Sequence, residues 1–84
     1  MVAPEAHSLG RHLKRLREAR ELSQEALAFA SGVSGSMIAK LEQGVKAGKD
    51  PKLSTLMGLA RGLDLTLLEL IAELFPEQRR RKGR

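Results

Sequence analysis

The residues of this chain whose type and spacing indicate a chemical function are its clustered lysines and arginines. Fifteen lysines and arginines against ten acids give a formal net charge of +5. Such an excess favours an anionic partner, and nucleic acid is the first candidate. Most of the cations fall in three groups: Arg11, Lys14, Arg17 and Arg20 in the first predicted helix, Lys46, Lys49 and Lys52 in a loop, and Arg79, Arg80, Arg81, Lys82 and Arg84 at the C-terminus. The C-terminal group predicts phosphate contacts or a nonspecific basic arm.

Other chemistries find little support in the sequence. The chain has no cysteine, which excludes disulfides, thiol nucleophiles and cysteine metal sites. Neither His7 nor His12 has a metal-ligand partner, and no Ser/His/Asp cluster is suggested. The segment 44–50 is not a phosphate loop, because three residues rather than about four separate its glycines, Asp50 replaces the magnesium-binding Ser or Thr, and it follows a helix. We therefore expect no enzyme activity, no metal and no cofactor.

The scarcity of aromatic residues and of long apolar runs further restricts the class of possible partners. Phe29 and Phe75 are the aromatic residues of the chain, whereas RNA and single-strand binders need aromatic platforms on which bases stack. The sequence has no apolar run of about 18 residues and no signal-peptide pattern. We expect double-stranded DNA as the partner, no membrane contact, and a cytoplasmic, nucleoid-associated protein.

Apolar residues recur at spacings of three and four, which predicts an all-α domain without strands. The domain is predicted over residues 8–75, between a flexible N-terminal segment (1–7) and a basic, disordered tail (76–84). The five predicted helices run from Ser8, as cap, to Glu21; from after Ser23 to Ser31; from after Ser34 to Gly44; from Leu53 to Gly62; and from Thr66, in a capping box with Glu69, to about Phe75. The predicted core positions are Leu9, Leu13, Leu16, Leu27, Ala28, Ile38, Leu41, Leu53, Leu56, Leu59 and Ala60.

The second and third predicted helices have the layout of a helix-turn-helix. Ser23 and Ser34 are typical N-cap residues, and Gly32 is a left-handed C-cap between the two short helices. The apolar positions of both helices face one shared core. This arrangement presents the later helix to the major groove of DNA.

Residues 9–71 resemble the lambda-repressor-like family, the Cro/CI or XRE-type helix-turn-helix proteins. The resemblance is carried by Leu22-Ser23-Gln24-Glu25, Leu27-Ala28, Gly32-Val33-Ser34, Ile38 and Glu42-Gln43-Gly44, and then by Pro51, Leu53, Leu56, Ala60, Leu63 and Leu65. So many matches in register are far more specific than one short motif. The resemblance implies a compact five-helix DNA-binding domain in which helices 2 and 3 form the helix-turn-helix.

The resemblance also implies roles for particular residues. The implied phosphate contacts are Ser23, Gln24, Gln43, Lys46 and Lys49, and the implied base contacts are Gly35, Ser36 and Lys40. Gln24 opens helix two, where unpaired amides attract anions, and Lys40 can donate to a guanine edge or to a phosphate. Arg17 and Glu42 match a partly buried ion pair that joins helices one and three, which is a structural role.

Two positions depart from the family pattern. Gly35 stands where the family often has a long polar side chain, so direct base readout is expected to be thin and to lean on Lys40 and DNA shape. Lys52 stands where Ser or Asp usually caps helix four, and Asp50 is the available substitute.

Helix five is apolar nearly all round, more than one buried face requires. The surplus residues are Leu68, Ile71, Ala72 and Phe75. We interpret them as the interface of a homodimer, which would place two recognition helices about one DNA turn apart on a palindromic operator. The alternative is that Leu68 packs on the N-terminal segment.

These observations predict a dimeric transcriptional regulator of repressor type that binds double-stranded DNA. Within the same class, an antitoxin or a restriction-modification controller protein remains open. A different class also remains open: a protein-interaction module with weak DNA binding, in which Phe29 or helix five meets a protein partner such as a toxin or the transcription machinery.

Overall fold

A computed structural model describes residues 4–44 and 51–76, and these residues form five helices and no strand. The helices are α1 (Pro4–Ala19), α2 (Gln24–Ser31), α3 (Gly35–Gln43), α4 (Leu53–Gly62) and α5 (Leu67–Leu74). The all-α, five-helix prediction is confirmed, and α2 with α3 forms the helix-turn-helix.

The first helix differs from its predicted bounds at both ends. It begins at Pro4, so that Ser8 lies inside the helix and the prediction of Ser8 as its N-cap is wrong. Proline suits a first helical position because its ring presets φ and its missing N–H is not needed there. The helix ends at Ala19 rather than Glu21, and Glu21 adopts a left-handed φ of 57° in the turn that follows.

The core lies where α1 packs on α3 and α5, α2 packs on α3 and α4, and α4 packs on α5. Its buried apolar residues are Leu9, Leu13, Leu27, Ile38, Leu41, Leu59, Ala60, Leu63, Leu70 and Leu74. Leu53 was predicted to face inward, and this is wrong, because its side chain is 60% exposed. Leu53 is the first residue of α4 and precedes the buried residues of that helix, which are Gly58, Leu59 and Ala60.

Close backbone contact between helices depends on particular glycines. A Cβ atom at Gly10 of α1 would clash with the carbonyl oxygens of Glu42 and Leu41 in α3. A Cβ at Gly58 of α4 would lie 2.6 Å from the carbonyl oxygen of Ser31 in α2. The absence of side chains at these two positions therefore sets how closely α1 and α4 approach the helix-turn-helix.

Helix α5 begins as predicted, whereas the start of α4 lacks a side-chain cap. The Thr66 hydroxyl oxygen accepts a bond from the Glu69 backbone N–H (3.1 Å), and the Glu69 carboxylate accepts one from the Thr66 N–H (2.9 Å), which completes the capping box. Lys52 occupies the N-cap of α4 and makes no side-chain cap bond. Asp50, the expected substitute, lies outside the described residues.

Candidate nucleic-acid interface

The helix-turn-helix is built from local hydrogen bonds at each helix end. The Ser23 hydroxyl oxygen accepts from the Ala26 N–H (2.9 Å) to start α2, and the Ser34 hydroxyl oxygen accepts from the Met37 N–H (3.1 Å) to start α3. Gly32 ends α2 and Gly44 ends α3, each with a φ of 75° that glycine adopts without strain. These signals set the bounds of both helices.

Helix α3 has one side in the core and the opposite side in solvent. Ile38 and Leu41 are buried. Ser36, Lys40 and Gln43 are exposed and follow one another at spacings of four and three, so they share a face of the helix. A helix that is anchored in the core by one side and exposes polar side chains on the other can hold those side chains against the edges of DNA bases. We call Ser36, Lys40 and Gln43 the outward face of α3.

Gly35 opens α3 and is half-buried. A Cβ atom built there would meet no other atom within 4 Å. Packing within the described residues therefore does not require glycine at this position. This contrasts with Gly10 and Gly58, where a Cβ atom would clash with backbone oxygens.

Arg17 and Glu42 form a two-bond ion pair between α1 and α3. The Arg17 Nε donates to Glu42 Oε2 at 2.7 Å, and its Nη2 donates to Oε1 at 3.1 Å. The two side chains are only 9% and 5% exposed. The Arg17 Nη1 also donates to the carbonyl oxygen of Leu22 (2.7 Å), which holds the chain just before α2.

The environment of Arg17 favours its charged form. The hydrogen bond to Glu42 raises the pKa of Arg17 above its ordinary value, and it outweighs burial, which acts in the opposite direction. The Arg17 guanidinium therefore stays charged beside Glu42. Loss of either partner would leave the other charge buried, which typically costs about 3–5 kcal/mol.

Gln24 joins this ion pair. Its side-chain Nε2 donates to Glu42 Oε1 at 3.0 Å, so that the first residue of α2 is tied to a carboxylate of α3. The resemblance implied only a phosphate contact for Gln24, and sequence reasoning missed the bond to Glu42. The bond uses one of the two N–H groups of the amide.

The remaining predicted site residues have different environments. Ser23 is exposed, although its hydroxyl oxygen already accepts the cap bond from Ala26. The other predicted phosphate contacts, Lys46, Lys49, Arg79, Arg80, Arg81 and Lys82, lie outside the described residues. Among residues 4–44 and 51–76, no group of His, Cys, Asp or Glu side chains could hold a metal ion.

Helix α5 has an apolar side that the core does not cover. Leu70 and Leu74 are buried, whereas Leu68 is 79% exposed. Ile71 and Ala72 are half-buried and continue the same side at helical spacing. Phe75, the fourth predicted interface residue, follows the last residue of α5 as its C-cap and packs against the core. None of the helices in the described residues is both long and apolar enough to cross a membrane.

The sequence model of the helix-turn-helix family matches residues 13–70 of the chain. The uncharacterised HTH-type transcriptional regulator y4dL of Sinorhizobium fredii is 32% identical over 75 residues, which are 89% of this chain and 37% of that protein. The uncharacterised HTH-type transcriptional regulator RghRB of Bacillus subtilis is 37% identical over 74 residues, which are 82% of this chain and 52% of that protein. The chain thus spans about half, or less, of the length of these relatives.

Solved structures share the same architecture. The restriction-modification controller protein C.AhdI from Aeromonas hydrophila superposes with a TM-score of 0.68 and 37% identity, over 77% of this chain and 94% of that one. An HTH_3 family transcriptional regulator from Vibrio cholerae superposes with a TM-score of 0.71 and 32% identity, over 87% of this chain and 39% of that one. The controller protein C.Esp1396I, at 18% identity and a TM-score of 0.71, shows the fold alone.

The family match covers the helix-turn-helix and α4 completely, together with the last part of α1 and the first part of α5. The two curated relatives carry the same family name over nearly the same stretch. The chain belongs to the XRE-type helix-turn-helix family, a family of DNA-binding transcriptional regulators.

Proposed function

We propose that this protein is a transcriptional regulator that binds double-stranded DNA sequence-specifically, as a homodimer on a palindromic operator, and represses an overlapping promoter. The outward face of α3 is the observation that carries the proposal. Its polar side chains are exposed, while the opposite side of the helix is anchored in the core by Ile38 and Leu41. The net charge of +5 supports attraction to the DNA backbone.

In this mechanism, phosphate contacts supply most of the affinity and α3 supplies most of the specificity. Lys40 donates to the acceptor atoms of a guanine edge or to a neighbouring phosphate. Ser36 can donate or accept, and it discriminates weakly between bases. Gln24, at the start of α2, binds a phosphate beside the groove.

A pair of lysine variants tests the docking of α3. Lys40→Ala and Lys14→Ala each remove one exposed positive charge, but Lys14 lies on α1 rather than on the outward face of α3. A base contact is worth about 1–3 kcal/mol, so Lys40→Ala should weaken binding to the selected duplex about tenfold or more. Lys14→Ala should have a much smaller effect, and equal losses in a fluorescence-anisotropy titration would contradict this docking.

The apolar side of α5 supports a homodimer. Leu68, Ile71 and Ala72 share one side of α5, and Leu68 is 79% exposed. Phe75 follows the end of this helix as its C-cap and is half-buried against the core. Leu68 is thus not covered by the described part of the chain, and packing on the N-terminal segment remains the alternative to a dimer. A two-fold axis through this face would cover the same residues on both subunits. The resulting dimer would also present two recognition helices to the DNA.

A pair of leucine variants tests the dimer. Leu68→Glu places a charge in the proposed interface and should shift the protein to a monomer in sedimentation equilibrium. Leu53→Glu is the matched control, because Leu53 is also an exposed leucine but lies at the start of α4. An unchanged association constant for Leu68→Glu, or an equal change for Leu53→Glu, would contradict an interface on α5.

The restriction-modification controller role is the more specific form of this proposal. It is supported by the 37% identity to C.AhdI over 94% of that chain. The selected DNA site should then occur upstream of the protein's own gene and beside genes for a nuclease and a methyltransferase. A site found only at unrelated promoters would favour a general regulator.

One observation favours a second candidate function, a protein-interaction module. Phe29 is 92% exposed on α2, where an aromatic side chain has no partner among the described residues. Duplex binding that is absent, or that does not respond to salt, would overturn DNA recognition. It would leave Phe29 as the anchor for a protein partner.

A further inference from the structure

Glu42 accepts hydrogen bonds from side chains of two other elements at the same time. Its carboxylate binds Arg17 of α1 through both oxygens (2.7 and 3.1 Å) and the Gln24 amide of α2 through Oε1 (3.0 Å). The Glu42 side chain is 5% exposed, whereas Gln24 is half-buried and lies at the edge of the network. The ion pair joins α1 to α3 without Gln24, so the third bond needs an explanation of its own.

We propose that Glu42 is a positioning residue for DNA binding, which holds the Gln24 amide in place for contact with a phosphate. The proposal rests on the proposed function, since it assigns the cause of one DNA contact within it. Through Arg17 and Glu42, the start of α2 is fixed relative to α1 and α3. A side chain that is otherwise mobile thus has one geometry before DNA arrives.

Preorganisation is the physical gain. A glutamine side chain has several rotatable bonds, and ordering them at the moment of binding costs conformational entropy. The bond to Glu42 orders the amide on folding instead. It occupies one N–H of Gln24 and leaves the second N–H, a donor that suits a phosphate oxygen.

The charge of Arg17 makes this arrangement compatible with DNA. A lone carboxylate beside a phosphate contact would repel the backbone and weaken binding. The two bonds from Arg17 neutralise the Glu42 charge locally, and the raised pKa of Arg17 keeps the guanidinium charged. The Gln24 amide therefore donates to a carboxylate oxygen, which is a strong acceptor. The ion pair that contains this carboxylate carries no net charge.

A double-mutant cycle measured on DNA affinity tests the proposal. Gln24→Ala is made in the native protein and in an ion-pair-free background, Arg17→Met with Glu42→Met. Replacing a buried ion pair by apolar residues of similar volume is often neutral or stabilising, so this background should fold, and circular dichroism checks that it does. Each protein is titrated by fluorescence anisotropy against the duplex that the native protein enriches from a random library.

In the native protein, Gln24→Ala should weaken binding about three- to tenfold, the range expected for one hydrogen bond. In the ion-pair-free background, the same substitution should weaken binding by less than about twofold. Equal losses in both backgrounds would overturn the proposal, and so would a native protein that binds DNA unchanged by Gln24→Ala. A native protein that binds no duplex would instead overturn the proposed function.

Two further variants guard against a purely structural effect or a background that fails to fold. Gln43→Ala removes an exposed glutamine of α3, and its effect should be the same in both backgrounds. Glu42→Gln is the alternative background, because a neutral amide accepts more weakly than a carboxylate and has only one oxygen to share between Arg17 and Gln24. There, too, the loss caused by Gln24→Ala should be smaller than in the native protein, and an equal loss would overturn the proposal.

Discussion

The two sides of α3 differ in what their residues do for the fold. On the inner side, Ile38 and Leu41 fill the core, and Glu42 is held by Arg17 and Gln24. On the other side, Ser36 and Lys40 are exposed. One helix thus carries residues for stability and residues for recognition on different sides. Substitutions of Ile38 and Leu41 should change the free energy of unfolding, those on the outward face should change DNA affinity, and those of Glu42 should change both.

Two glycines repeat this contrast. Gly10 faces the backbone of α3, and a Cβ atom there would clash with the Glu42 carbonyl oxygen. Gly35 opens α3, and a Cβ atom there would meet no neighbour within 4 Å. The first glycine is required by packing, whereas the second is not.

The largest effect on stability is expected from the ion pair. Arg17→Met would strand the Glu42 carboxylate in a site where its side chain is 5% exposed, and should lower the free energy of unfolding by about 3–5 kcal/mol. Urea unfolding followed by circular dichroism measures the loss. Arg20→Met is the matched control, because Arg20 is exposed, and its effect should stay within about 0.5 kcal/mol. A loss below about 1 kcal/mol for Arg17→Met would show that the pair is not structural.

The same variant makes a prediction about pH. The folded-state pKa of Arg17 is raised, so its stabilising contribution is fully present below the unfolded-state pKa and is lost only as pH rises through the folded value. Both values lie in the strongly alkaline range. The difference in stability between the native protein and Arg17→Met should therefore stay constant from neutral to moderately alkaline pH. A difference that shrinks over this range would contradict the assignment.

A smaller loss is expected at the contact between α1 and α3. Gly10→Ala forces the two helices apart, because the new methyl group meets backbone oxygens rather than flexible side chains. Overpacking of this kind costs about 1–3 kcal/mol, which urea unfolding would detect. Stability equal to that of the native protein would mean that α1 can shift without cost.

The smallest effect on stability, and one of opposite sign, is expected at Gly35. Gly35→Ala should leave the fold intact and raise the free energy of unfolding by up to about 1 kcal/mol, since alanine favours the helix and its Cβ has space. Thermal unfolding of Gly35→Ala and Gly10→Ala is measured side by side. The first substitution should raise the stability and the second should lower it. A destabilised Gly35→Ala protein would remove the contrast between the two glycines.

The structure shows which kinds of sequence signal are reliable in this fold. The bounds of α2 and α3 were predicted correctly because Ser23, Gly32, Ser34 and Gly44 act within a few residues of themselves. The predicted start of α1 is wrong because Ser8 is also compatible with a helix interior and Pro4 is compatible with a first turn. Leu53 fits a buried spacing, yet its position at the start of α4 leaves it exposed.

The contacts of the site were harder to predict than its residues. The Arg17–Glu42 pair followed from a family resemblance, and the structure brings the two side chains together. The Gln24–Glu42 bond joins residues 18 positions apart. It depends on how three helices converge, which no local pattern records. The role of Gly10 has the same origin, because it depends on the distance between two helices.

The central claim is that the outward face of α3 reads a DNA sequence. Selection of the native protein on a random duplex library, followed by titration of the enriched site at two salt concentrations, tests it most directly. We expect a palindromic enriched motif, and the affinity for it should fall steeply with salt. An absence of any enriched motif, with weak binding driven by salt alone, would contradict sequence-specific recognition by α3.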